Sequence, residues 1–260
     1  MASTLIYGMR DAVLVDAFMT LKEVNELADW VMASGKNLTT IYITHGHGDH
    51  WFGLGILLER FPNAKAVAKP DVVKVMRQHA SPEVLDGVWK AALPGQIPDR
   101  IVISEELKGN VINLEGHELD AVELGHTDTE YTTCLNIPSI GLVVAGDAAY
   151  NDVHLYLVES NAKSRQEWIS ALDKIESLNP QAVIASHKRP GNDYRRDTAV
   201  HSRFRPTGGN NNNSSRALRQ DAGALSKSSQ SGMGTLEFGA RSQTVIWELL
   251  MHELLNLNRW

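Results

Sequence analysis

The stretch "ITHGHGDHWFG", Ile43 to Gly53, follows directly on the apolar run Leu38–Ile43. It sets three histidines and one aspartate within six residues, His45 to His50. Imidazole and carboxylate suit zinc and neighbouring first-row metals, and a catalytic site needs several such donors plus an open position. His45 and His47 alternate along an extended backbone, so both can point the same way. Gly46 and Gly48 let the chain turn tightly enough for Asp49 and His50 to face a second position nearby. One turn can therefore begin two metal sites, provided the rest of the chain supplies the missing donors.

Donors of the right kind stand at the ends of other strand-like runs. His126 follows "LDAVELG", Asp147 follows "GLVVAG" and His187 follows "AVIAS". Each comes after a small residue and closes an apolar stretch. Alone, each would read as a turn residue; with the opening motif they complete a metal-binding constellation.

The first 190 or so residues have the texture of an α/β protein. Ala12–Val15 and Leu38–Ile43 read as strands. Between them "LKEVNELADWVMAS" sets Val24, Leu27, Trp30 and Val31 on one helical face, closed by Gly35. Gly53–Arg60 reads as a short helix, and Pro70 and Pro82 open two more. The texture then changes: "IVIS", "NVINL", "HELDAVEL", "TTCLNI" and "GLVVAGD" are short, β-branched and punctuated, which predicts hairpins. Ser164–Leu178 reads as a helix with Ile169, Leu172 and Ile175 inward, and "PQAVIASH" as a last buried strand. Two sheets with helices outside would bury all of these faces.

The pattern HxHxDH, followed by His, Asp and His at strand ends, resembles the metallo-β-lactamase superfamily from about Leu14 to Gly191. All seven ligand positions are filled. The resemblance implies an αββα sandwich with a dinuclear site at one edge. It assigns His45, His47 and His126 to one ion, and Asp49, His50 and His187 to the other. Asp147 would bridge the two, and Asp16 in "VLVDA" would support the metal loop from below. The ions would be two Zn(II), with manganese or iron as alternatives. A hydroxide bridging them would attack a carbonyl or phosphoryl centre, with Asp49 and Asp147 bearing on that nucleophile.

Metals do not choose the substrate. Many relatives continue the motif as DHxGG, whereas this chain has "DHWFGLG". Trp51 and Phe52 are then either core packing for the next helix or an apolar wall for a small substrate. In "GDAAYNDVHLYL", Tyr150 and His154 could line the pocket and protonate a leaving group, or His154 could simply be packed. His79, His117, His201 and His252 have no partner pattern. The texture resembles small fungal and bacterial hydrolases of the superfamily, which implies ring opening of a small lactam, cyclic carbamate or lactone, with xenobiotic detoxification as a role. A thioesterase or other ester hydrolase of the same fold is the alternative, as is a weakly active or inactive product of a frameshifted gene.

Bulk properties exclude several other classes. The 260 residues carry a net charge of −6, against nucleic-acid binding. No run is long enough to span a membrane, and the N-terminus does not read as a signal peptide. Cys134 is the only cysteine, which rules out an internal disulfide. A cytoplasmic, small-molecule enzyme is the expectation.

Residues 1–192 read as the catalytic domain and 193–260 as an atypical tail. There "GGNNNNSS" is low-complexity, and only "TVIWELLMHELLNLNRW" regains helical periodicity. One legal back-translation of residues 197–227, reread one nucleotide further on, yields good helix formers with regular apolar spacing. The expectation is a change of reading frame near Asp193 or Tyr194; a native low-complexity linker is the alternative.

Overall fold

Alternation along the strands sorts the core into three seams, and these define the architecture. The computed structural model describes residues 1–151 and 153–188; the tail, its boundary near residue 193, His201 and His252 lie outside the described residues.

The first half builds β1 (Thr4–Tyr7), β2 (Asp11–Val15), α1 (Leu21–Ala33), β3 (Asn37–Ile43), α2 (Leu54–Arg60), β4 (Lys65–Ala68) and α3 (Pro70–His79). A short α4 (Pro82–Val84) runs on into a wider turn over Leu85–Lys90, and β5 (Glu105–Glu106) closes the first sheet in the order β1-β2-β3-β4-β5. The second half adds β6 (Val111–Leu114), β7 (His117–Gly125), β8 (Thr132–Ile137), β9 (Leu142–Val144), β10 (Tyr150–Asn151), α5 (Ala162–Ser177), β11 (Ala182–Ile184) and β12 (His187–Lys188). Its sheet runs β11-β9-β8-β7-β6, and β10 pairs with β12 alone. As the hairpin texture predicts, β6 to β9 pair antiparallel in succession, whereas β2, β3 and β4 are parallel and need helical crossovers.

Leu14, Ile41 and Ile43 face α1, α2 and α3. Their neighbours Val13, Val15 and Tyr42 face Leu119, Leu135 and Val144 of the other sheet. On that sheet's far side Cys134 and Val143 meet Ala171 and Ile175 of α5. A strand with period two serves two seams at once, so the layers are helix, sheet, sheet, helix. This is the expected αββα sandwich.

Several local expectations shift. "IVIS" forms no strand; Ile101, Val102 and Ile103 pack as an irregular segment on the helical seam, and pairing begins only at Glu105. In α5 the buried face is Trp168, Ala171, Leu172 and Ile175 rather than one centred on Ile169, because Trp168 reaches back to donate its indole N–H to the Ala148 carbonyl at 2.9 Å. β11 is an edge strand, and Val183 is 38% exposed rather than buried. Among the described residues no helix is long and apolar enough to cross a membrane.

Candidate metal centre

β3 delivers the motif to the end of the first sheet, and a short 3-10 turn, Gly48–His50, carries it across. Gly46 and Gly48 are needed for space. A Cβ on Gly46 would meet Val75 Cγ1 at 2.3 Å, and one on Gly48 the Phe52 ring at 2.5 Å. Neither glycine has a positive φ, so close packing replaces the backbone freedom expected from the sequence. Asp16, at φ 62, anchors the turn from below. It accepts the Thr44 backbone N–H at 2.9 Å and the Thr44 hydroxyl, and its Oδ2 lies 2.8 Å from His50 Nδ1.

Two groups of potential donors result: His45, His47, Asp128 and Asp147, and next to them Asp49, His50 and His187. His45 Nδ1 is tied to the Thr44 hydroxyl at 3.1 Å, which leaves Nε2 facing inward. That nitrogen is 3.6 Å from Asp128 Oδ2 and 4.0 Å from Asp147 Oδ2. His47 Nδ1 lies 2.9 Å from the same Asp128 oxygen. Asp147 touches both groups, with Oδ1 at 3.2 Å from His50 Nε2 and Oδ2 at 3.2 Å from His187 Nε2. Asp49 Oδ2 lies 3.6 Å from His50 Nε2 and 3.5 Å from His187 Nε2.

Four of these atoms face one another without hydrogen-bond geometry. His45 Nε2, His50 Nε2, Asp128 Oδ2 and Asp147 Oδ1 are buried and have no hydrogen-bond partner. Each orphaned polar group costs on the order of 1–3 kcal/mol or more. A folded chain tolerates several in one place when something else satisfies them, and their chemistry, imidazole nitrogen and carboxylate oxygen, fits a first-row divalent cation.

The electrostatics agree. Burial alone would strip the proton from His50, but the carboxylates of Asp49, Asp147 and Asp16 outweigh it and hold the imidazole well above its ordinary range. Burial likewise opposes the charge on Asp147, yet His187 and His50 keep this carboxylate ionised far below its usual range. His187 is lifted to about 9, burial being overcome by Asp147 and Asp49. His45 goes the other way, lowered by burial and by neighbouring His50.

The remaining expectations divide. His126, assigned to the first ion by resemblance, falls in neither group; its Nδ1 lies 3.0 Å from the Thr127 carbonyl. Asp128, two residues on, stands in the cluster instead. The spacing H-x-D in "GHTDT" repeats the alternation of H-x-H and was the available signal. Tyr150 is buried, donates its hydroxyl to Asp147 Oδ2 at 2.9 Å and stacks on His187 at 5.4 Å. His154 is exposed, with Nδ1 at 2.9 Å from the Leu155 carbonyl. Trp51 and Phe52 are 0% exposed and belong to the helical seam. The Trp51 indole donates to the Gly46 carbonyl at 2.9 Å. The apolar-wall reading is therefore corrected: these rings shape the metal loop from behind and offer no surface to a substrate.

Three residues beside His47 had no sequence signal. The His79 ring lies 5.5 Å from the His47 ring, and burial together with His47 lowers its pKa to about 4. The Tyr156 ring sits edge-on to His47 at 5.6 Å. Glu159 Oε1 lies 3.1 Å from His47 Nε2. His117 is exposed.

Comparison with known proteins gives the family of the chain. The family model of the metallo-beta-lactamase superfamily matches residues 2–187. The chain belongs to that superfamily. Among solved structures it is similar to a metallo-beta-lactamase from Pontibacter korlensis, with TM-score 0.52 and 16% identity over 70% of this chain and 76% of that one. A metallo-beta-lactamase family protein from Thermus thermophilus aligns with TM-score 0.55 and 16% identity over 87% and 73%. The metallo-beta-lactamase FIM-1 from Pseudomonas aeruginosa, in a mono-zinc form, gives TM-score 0.55 and 14% identity over 86% and 82%. No curated protein matches in sequence. At these identities the likeness is one of fold.

Proposed function

We propose that the chain is a dinuclear metal-dependent hydrolase that opens a small lactam, cyclic carbamate or lactone ring. The observation that carries it is the pair of adjacent His/Asp groups, with Asp147 of the first in contact with His50 and His187 of the second. His45, His47 and Asp147 would hold one ion, and Asp49, His50 and His187 the other, with Asp147 between them. The loop after β7 supplies the remaining donor to the first ion. Asp128 stands at that place, and His126, which the resemblance assigns, lies two residues earlier in the same loop. Zinc suits the donor set, and one fold relative is described in a mono-zinc form. Divalent ions held there would supply an acidified water and a Lewis acid for the carbonyl under attack.

The chain's own residues do the rest. Tyr150, whose pKa is raised well above its usual value by burial and by Asp147, keeps its proton and fixes the Asp147 carboxylate through it. Asp49, kept ionised by His50 and His187 against the effect of burial, orients the attacking water. The rim beside His47 carries an imidazole, a phenol and a carboxylate from His79, Tyr156 and Glu159. That carboxylate repels phosphate and favours a small uncharged ring. The test is a panel of lactams, lactones, thioesters and phosphodiesters, run with elemental analysis of the same preparation. Ring opening with about two ions per chain is expected; turnover of thioesters or phosphodiesters alone would overturn the substrate assignment.

A further inference from the structure

Each histidine that enters the cluster from the HGHGDH loop has its outer nitrogen occupied. For His45 the partner is the Thr44 hydroxyl, and for His50 it is Asp16. Both partners directly follow the strands that build the loop. His47 has no such local partner; its outer nitrogen, Nε2, meets Glu159 Oε1 at 3.1 Å, 112 residues further along the chain. Glu159 is itself held in place, since its Oε2 accepts the Thr129 hydroxyl at 2.6 Å. Two further contacts anchor its segment: the Asn161 capping box at the start of α5, and the Tyr156 ring edge-on to His47.

We infer that Glu159 is the positioning residue for His47: it accepts the Nε2 proton and so turns the bare Nδ1 toward the first metal site. A neutral imidazole carries one proton, and the nitrogen that is tied to an acceptor keeps it. Both nitrogens face a carboxylate, Nδ1 at 2.9 Å from Asp128 Oδ2 and Nε2 at 3.1 Å from Glu159 Oε1. Were an ion to engage Asp128 at the first site, Nε2–H would stay on Glu159 and the Nδ1 lone pair would be the one available. A carboxylate partner also raises the basicity of the ligand nitrogen, and outer partners of this kind are typically worth 10–100-fold in metal affinity. Glu159 is 33% exposed along its side chain.

This inference rests on the dinuclear reading above, and its test separates the two. The metal-free full-length chain is titrated with Zn(II) against a chromophoric chelator, and with Co(II) by absorption. Glu159→Ala should weaken one of the two ions by roughly 10–100-fold and leave the other unchanged. Glu159→Gln, which keeps a neutral acceptor oxygen, should restore most of that loss. Glu159→Asp, one methylene short, should resemble alanine; it carries the test if the alanine variant does not fold. Wild-type affinity for both ions in the Ala or Asp variant would overturn the role, as would an equal loss at both ions or no rescue by Gln. A wild-type chain that binds no ion at all would instead defeat the dinuclear reading.

Discussion

Asp16 and Asp147 do different work from positions of equal burial. Asp16 points its carboxylate at the loop backbone and at the outer nitrogen of His50, so it orders a ligand. Asp16→Asn is expected to keep the fold, because the amide oxygen can still accept from Thr44, while lowering affinity for the second ion by about 10–100-fold in a chelator competition. Asp147 touches both groups, and Asp147→Ala should remove turnover by three orders of magnitude or more in the hydrolysis panel, with both ions weakened. His126→Ala and Asp128→Ala form a discriminating pair: metal content should fall in the variant that loses the third donor to the first ion. Acidity bears on the same atoms. His187 has a folded pKa of about 9 against an ordinary 6.5. Its contact with Asp147 and Asp49 therefore stabilises the metal-free chain fully below about pH 6.5, and this contribution is lost as pH rises through 9. Zinc needs the neutral imidazole, so binding should release a proton at pH 7, and apparent affinity should rise with pH toward 9. Chemical denaturation of the metal-free chain at about pH 6 and about pH 9.5 checks the first, and proton release on adding Zn(II) at about pH 7 checks the second.

At the scale of the element, the metal loop is a strand end wedged between a carboxylate below and two aromatic rings behind. Trp51 and Phe52 meet edge to face at 4.7 Å, and Phe52 continues to Trp89 at 5.4 Å. Trp51→Ala should cost about 3–5 kcal/mol of stability by chemical denaturation, through the cavity it leaves. Trp51→Phe should lose far less and leave the substrate ranking in the hydrolysis panel unchanged. A changed ranking in Trp51→Phe would return this residue to the substrate wall. Gly146 is a second constraint on the site, because it adopts φ +57 directly before Asp147, and a Cβ there would meet the Thr44 hydroxyl at 2.8 Å. The opening motif and the placement of Asp147 and His187 beside it were legible in the sequence. Burial of Trp51 and Phe52 was not, because an aromatic pair after a metal loop packs inward or outward according to where the neighbouring helix lies.

At the scale of the whole molecule, a four-layer sandwich brings strand ends to one edge, and residues as far apart as His50 and His187 become neighbours. The edge strand β11 leaves Val183 exposed. If the reading frame changes near Asp193, as we propose from codon degeneracy, replacing the tail by the alternative-frame sequence should raise the melting temperature and soluble yield of the full-length chain. An unchanged melting temperature would favour a native tail. By itself the sequence determined the sandwich and most of the His/Asp cluster at its edge, because period-two alternation and closely spaced polar residues are local properties of the chain. Only the tertiary structure decided that Asp128 enters the cluster while His126 stands outside it, that Trp51 and Phe52 turn away, and that Glu159 holds His47. Those outcomes depend on which distant surfaces meet once the layers close, and no local spacing encodes that.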